Sequence, residues 1–265
     1  MSGPVVIKIG GTTIEDPATS PRLWDAIAAL ARQRPVVVVH GGGKAVDRLL
    51  ERLGLKVERV EGLRVTPPEQ MEHIAAVLAG SMNKGIVGPL LARGTRAVGL
   101  SLGDGNAVPT RVKHVPGVDL GRVGEVAVVE RAAAGAGLLP VLLREGFTPV
   151  LSSIGIDARG TLLNLNADDA AAGVAWHVRA SVLVLMTDVP GILDGGRQLI
   201  PEIDGAGIEG LIASGVITGG MVPKARAAAR AAEQIGAPVV ILSGNDPDSL
   251  ARWSAGRPAG TTVVA

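Results

Sequence analysis

The sequence predicts an α/β protein: a three-layer αβα sandwich on a central, mostly parallel sheet. Two observations carry that expectation. Short apolar runs bounded by glycines alternate along the chain with segments whose apolar residues recur at helical spacing. Hydrophobic residues make up 47% of the 265, ample for a large core, while the aromatics are Trp24, Phe147, Trp176 and Trp253. Alanine, valine and leucine must fill the interior.

The elements follow in order. VVIKI (5–9) reads as a buried strand, although Lys8 sits inside it. Ser20 and Pro21 mark an N-cap and first helical position, followed by Leu23, Trp24, Ile27, Leu30 and Ala31 at helical spacing. VVVV (36–39) is a second buried strand, closed by HGGG (40–43). A helix begins near Lys44, with Val46, Leu49, Leu50 and Leu53 on one face and Gly54 past its end. Residues 57–65 form a short ribbon. Thr66-Pro67-Pro68-Glu69 has the pattern of a capping box opening a long helix. Residues 97–102 are a third strand, and 107–130 suggest hairpins at the edge of the sheet. A helix at 138–145 leads to one strand, TPVLSSIGI (148–156). A helix at 168–178, a strand at 181–188 and a short helix at 208–214 follow. After the turn TGGM come a helix at 222–235, the strand PVVIL and a last strand at 261–264. No repeat or linker divides the chain, so two lobes on one sheet are expected, 1–178 and 179–265.

Bulk properties exclude several classes. The net charge is +1, which gives no global field for nucleic acid or lipid, and stacking platforms are scarce. Without cysteine there are no disulfides, thiolate metal sites or cysteine nucleophiles. Residues 1–4 carry no basic leader region, and no apolar stretch reaches the ~20 residues of a membrane span. A cytoplasmic protein with small-molecule partners, without nucleic acid or membrane, is expected.

Three glycine clusters end strands or open helices: Gly10-Gly11, Gly41-Gly42-Gly43 and Gly219-Gly220. They either make tight turns or let backbone N–H groups approach an anion. The P-loop spacing fails, because Val38 stands at its first glycine position and Ala45 follows Lys44. No G-x-G-x-x-G opens a helix either.

Lys8 needs a partner, because stripping water from an ammonium is costly. Asp168 reads alone as a first-turn acid, and Lys224 as a surface lysine. Together, two lysines and an aspartate suit phosphoryl transfer, the lysines neutralising phosphate charge and the aspartate holding them. Arg64, in EGLRVT, offers a fork for a carboxylate or pairs with Glu58 or Glu61. His40, His73, His114 and His177 show no metal-ligand spacing.

The pieces IKIGG (7–11), VVHGGGKAVD (38–47), EGLRVT (61–66), VGEV (123–126), PVLSSIG (149–155), NLNAD (164–168), TDVPGIL (187–193) and TGGMVPK (218–224) span the chain. In that order the sequence resembles the acetylglutamate kinases of the amino-acid kinase superfamily. The resemblance implies the amino-acid kinase fold and phosphoryl transfer from ATP to the side-chain carboxylate of N-acetyl-L-glutamate, in arginine biosynthesis. It implies that Lys8 and Lys224 stabilise the transferring group, that Asp168 orients both, and that Gly11 and Gly42 offer N–H groups. Gly42, Gly43, Arg64 and Asn164 would hold the acyl-amino acid, with Arg64 on its α-carboxylate. Asp188, Val189, Pro190, Gly191, Ile192 and Leu193, with Val216, Ile217 and Thr218, would line the nucleotide pocket. Mg²⁺ would arrive with ATP, held mainly by phosphate oxygens, with no dedicated metal motif.

One departure is SLGDG, where Leu102 replaces the glycine often found after serine. Arginine-inhibited members carry an extra N-terminal helix, so four residues before Val5 imply a homodimer without arginine feedback. The alternatives are a sister kinase acting on carrier-bound aminoadipate or glutamate, and a non-catalytic nucleotide sensor. A dinucleotide-binding oxidoreductase lacks its fingerprint.

Overall fold

A computed structural model of the chain describes residues 3–15, 20–127 and 135–265. The apolar runs pair into one eight-stranded sheet. Its spatial order is Glu202–Asp204, Thr261–Val264, Val239–Ser243, Val182–Thr187, Val5–Ile9, Val36–His40, Thr148–Ser152 and Ala97–Ser101. The six strands from Val239–Ser243 onward are mutually parallel, and Thr261–Val264 runs against its neighbour.

Strand alternation divides the core into two layers. Val5, Ile7 and Ile9 face Trp24, Ile27 and Leu30 of helix Ser20–Ala31, with Ile86 and Leu90 beside them. Val6 faces the opposite way, toward Ala170, Ala171 and Val174 of helix Ala167–His177. That second layer also holds Ala225, Ala228 and Ala232 of helix Met221–Ile235. Alanine faces let both helices lie close to the sheet, which explains a core built with so few aromatics.

The strands drawn from before and after residue 178 segregate to opposite sides of the Val5–Ile9/Val182–Thr187 pair. The chain order reverses there, and the carboxyl ends of parallel strands beside such a reversal are where α/β sheets place ligands.

Several expectations change. The 107–126 region is not at the edge of the main sheet. Thr110–Val112 and Val123–Val126 join Leu162–Leu165 and Ile154–Ile156 in a separate four-stranded sheet. The 128–130 end of the expected hairpins lies outside the described residues. TPVLSSIGI is two strands, because the chain leaves the main sheet at Ser153 and enters the small one. Thr66 is not a helix cap: its hydroxyl donates to Arg64 O, and Pro67 occupies the cap position of Pro68–Ala75.

Helix Gly205–Ala213 starts before the apolar pattern does, because Asp204 caps it by accepting from Gly207 N–H at 2.7 Å. The helical run 68–91 is 24 residues long and, by length and composition, apolar enough to cross a membrane. Glu69, Glu72 and Lys84 interrupt it in sequence, and Ile74, Leu78, Ile86 and Leu90 are buried against the protein. Residues Ala76–Met82 of that run form π-helix.

Candidate active site

Lys8 occupies the outward end of the central strand, on the Val6 face. Its Nζ lies 2.9 Å from Asp168 Oδ1. Asp168 is held in the first turn of its helix by Asn166, whose Oδ1 accepts from the N–H groups of Asp168 and Asp169 at 2.8 and 3.2 Å. An asparagine cap thus fixes the carboxylate that neutralises Lys8. Lys224, in the first turn of Met221–Ile235, pairs instead with Asp188. Each lysine therefore has its own carboxylate, and Asp168 does not bridge the two here. The Lys224 hydrogen bond holds the Asp188 carboxyl below the usual range, against partial burial and with help from the Lys8 charge.

These four groups line a cavity of about 720 Å³, with Gly10, Thr13, Lys44, Lys113, Val189, Arg230 and Asn245 among its other walls. Its size is in the ~300–1,000 Å³ range of cofactor-sized ligands. A second cavity, of about 180 Å³, is lined by Gly41, Gly42, Gly43, Arg59, Arg64, Asn164 and Asn166, among others. All four residues expected to hold the acyl-amino acid line it.

Arg64 reaches it from the ribbon Arg59–Val60/Leu63–Arg64, whose turn has positive φ at Glu61 (49°) and Gly62 (82°). The Arg64 side chain is 9% exposed; its Nη2 donates to Gly43 O at 2.9 Å and its Nη1 pairs with Asp47. Arg59 takes the other Asp47 oxygen at 2.7 Å. Neither Glu58 nor Glu61 is the partner of Arg64. Burial raises the Asp47 pKa, but the hydrogen bonds from the two arginines outweigh it and leave it lowered. Asn164 Nδ2 donates to Thr66 Oγ1 at 3.0 Å, and Thr66 donates to Arg64 O, so Asn164 and Arg64 are tied together.

The two cavities share a wall. Ala167 lines the small one and Asp168 the large; Gly43 lines the small one and Lys44 the large. At this seam the first two glycine turns abut. A Cβ on Gly11 would stand 2.9 Å from Gly42 Cα, and one on Gly42 would stand 2.8 Å from Leu78 Cδ2 in the π-helix.

Of the expected nucleotide run, Asp188 and Val189 line the large cavity, and residues 190–193 and 216–218 do not. Gly191 and Ile192 are buried, with Ile192 N–H donating to Thr261 Oγ1 at 2.8 Å. Leu102 is fully buried, its N–H on Ile154 O at 2.8 Å, so the departure in SLGDG serves the core.

Lys44, Lys113, Asn245 and Asp47 were not expected. Lys44 directly follows the glycine turn and was the signal most open to reading. Lys113, 3.8 Å from Asp169, and Asn245 arrive from distant segments with no local pattern. Among the described residues no group of three or more His, Asp or Glu side chains is arranged to hold a metal.

A lysine-lined, nucleotide-sized cavity sharing a glycine seam with a small arginine-lined one suits a transferase that passes a group between two substrates. The amino acid kinase family profile matches residues 3–243, and the chain belongs to that family. The chain is 42% identical over 264 residues to the acetylglutamate kinase of Vibrio cholerae serotype O1, covering 98% of this chain and 97% of that one. It is 43% identical to the acetylglutamate kinase of Pectobacterium atrosepticum, covering 99% of both. Among solved structures, N-acetylglutamate synthase from Neisseria gonorrhoeae, complexed with coenzyme A and N-acetyl-glutamate, superposes with a TM-score of 0.84 at 25% identity. That match covers 99% of this chain and 59% of the synthase. The carbamate kinase of Giardia shares the fold, with a TM-score of 0.66 at 17% identity over 99% of both chains.

Proposed function

We propose that this chain is a kinase that phosphorylates the side-chain carboxylate of N-acetyl-L-glutamate with ATP, in arginine biosynthesis. The observation that carries the reading is the shared wall between the lysine-lined and arginine-lined cavities, in a chain with full-length acetylglutamate kinase relatives. ATP occupies the larger cavity and the acyl-amino acid the smaller, with the Arg64 fork on its α-carboxylate. An acceptor oxygen forms a bond to the γ-phosphorus while the bond from that phosphorus to the β-bridging oxygen breaks, releasing ADP. The acceptor is ionised at neutral pH, since a glutamate-type carboxyl ordinarily titrates near ~4.3, so no general base is needed. The obstacle is bringing an anion to a polyanion. Lys8 and Lys224 offset that charge, and the N–H groups of Gly11 and Gly42 face it. Asp168 sets the position of Lys8. Mg²⁺ enters with ATP, held chiefly by phosphate oxygens.

The lobe assignment goes with this: 1–178 for the amino acid and dimerisation, 179–265 for ATP. A cytoplasmic homodimer is part of the proposal. Support for the dimer is Leu91, 52% exposed at the end of the helical run 68–91, beside the edge strand Ala97–Ser101. Gel filtration tests the dimer.

The functional test is acyl-phosphate trapping with hydroxylamine in the presence of Mg-ATP. N-acetyl-L-glutamate is compared with L-glutamate, L-aspartate, N-acetyl-L-aspartate and carrier-bound aminoadipate. Turnover confined to N-acetyl-L-glutamate is expected. Turnover of another acceptor overturns the substrate assignment, and ATP binding without any acyl phosphate indicates a sensor.

A further inference from the structure

Beneath the glycine seam runs a buried polar chain that lines neither cavity. His40, fully buried at the end of strand Val36–His40, places Nδ1 2.9 Å from Gly41 O and Nε2 3.2 Å from Asn83 Nδ2. Asn83, also fully buried, places Nδ2 2.9 Å from Val150 O and 3.4 Å from Leu100 O, and Oδ1 3.1 Å from Lys84 Nζ. Gly99 gives that amide room, since a Cβ there would lie 2.0 Å from Asn83 Oδ1.

The chemistry of each group fixes the proton positions. An ammonium only donates and a peptide oxygen only accepts. Asn83 therefore turns Oδ1 to Lys84 and its NH₂ to His40 and the carbonyls of Val150 and Leu100. Nε2 of His40 faces an amide nitrogen that cannot accept, so the ring proton sits on Nδ1, donating to Gly41 O. Burial keeps the ring neutral, lowering its pKa from 6.5 to about 4 against the opposing Gly41 hydrogen bond.

That bond sets a direction. The Gly41–Gly42 peptide is trans, and in a planar trans peptide the C=O and N–H point opposite ways. Holding Gly41 O toward the buried ring turns the Gly42 N–H away from it. No acceptor among the described residues takes that N–H. We infer that His40, set by Asn83, is a positioning residue that aims the Gly42 N–H at the transferring phosphoryl group. The inference rests on the role proposed for Gly42.

The test compares His40→Asn with His40→Gln. Asparagine carries its amide N–H near the place of Nδ1 and can still serve Gly41 O. Glutamine reaches the place of Nε2 and leaves Gly41 O without its side-chain donor. Both lose the ring, so similar falls in Tm are expected. With each substrate's KM little changed, kcat of His40→Gln should lie on the order of 10-fold or more below that of His40→Asn, in line with loss of an oxyanion donor. Equal kcat values, or effects confined to Tm, overturn the inference.

Nitrogen-15 NMR of the unmodified protein supplies an independent readout, and an Nδ1–H tautomer is expected for His40 at neutral pH. An Nε2–H tautomer with normal turnover overturns the His40 inference alone. Absence of acyl-phosphate formation by the unmodified protein overturns the functional reading, and the role of His40 with it.

Discussion

Lys8 Nζ and Asp168 Oδ1 stand 2.9 Å apart, joining the end of the central strand to the first turn of the helix packed against it. The Lys8 side chain is 12% exposed and Asp168 49%, so the lysine is nearly enclosed while its counter-ion remains reachable from the cavity. Such a lysine is pre-placed for phosphate. Lys8→Ala is expected to lower kcat by ~10²–10³, with little change in KM for the amino acid. Asp168→Asn keeps the shape, removes the charge and should lower kcat in the same direction. Steady-state kinetics at saturating ATP check both, and a normal kcat in Lys8→Ala would remove that lysine from the chemistry.

Arg64 gives a contrasting expectation, because its role is binding. Arg64→Ala should raise KM for N-acetyl-L-glutamate by ~10–100-fold, the size of a lost charge-assisted hydrogen bond, with a smaller effect on kcat. Arg64→Lys should not restore KM. One ammonium cannot hold Asp47 and Gly43 O in the planar fork and still face a ligand carboxylate. Recovery by lysine would show that only charge matters there.

His40 makes stability depend on pH. Above about pH 6.5 the residue is neutral in both folded and unfolded chains. Between 6.5 and about 4 the unfolded chain takes up a proton that the buried ring refuses, so stability falls as pH falls. Over the full window the loss is about 3 kcal/mol, from 1.36 kcal/mol per pKa unit. His177, whose pKa burial also lowers, acts with the same sign. Denaturant titrations from pH 7 to 4.5 should show a shallower decline in His40→Asn than in the unmodified protein. Parallel declines would contradict the buried neutral ring.

Glycine at the seam is a steric requirement. Gly11→Ala brings a Cβ to 2.9 Å from backbone Gly42 Cα, so one turn must shift, and kcat should fall by ~10². Gly210→Ala, in the exposed face of helix Gly205–Ala213 with open space around it, should stabilise the fold by ~0.4–1 kcal/mol and leave kcat unchanged. Equal effects of the two would remove the seam from the account.

Much of this architecture is legible in the sequence. Buried parallel strands read as unbroken runs of valine and isoleucine, and each core run of the main sheet is found where periodicity expects it. The glycine turns and Lys8 stand out because each violates a local rule, and the first two turns lie with Lys8 at the two cavities or their seam. The small sheet was not legible, since its short strands carry mixed polar and apolar residues and its order depends on distant pairing. The exchange of sheets at Ser153 is hidden for the same reason: both strands are buried, and one apolar run continues across the break. The partners of Arg64 and Lys224 were misplaced because Asp47 and Asp188 are brought to them by tertiary packing, 17 and 36 residues away. In sequence His40 is marked only by its place beside the glycines, with no metal-ligand spacing. Its proton position depends on Asn83, 43 residues distant.

The central claim is that the two cavities act as one site, passing phosphate across the glycine seam. Phosphorus-31 NMR of the protein with Mg-ATP and N-acetyl-L-glutamate tests it most directly. The expected result is an acyl-phosphate resonance growing in step with ADP, absent without the amino acid and strongly slowed in Lys8→Ala. ADP and inorganic phosphate accumulating at the same rate with or without N-acetyl-L-glutamate, and no acyl phosphate, would contradict it.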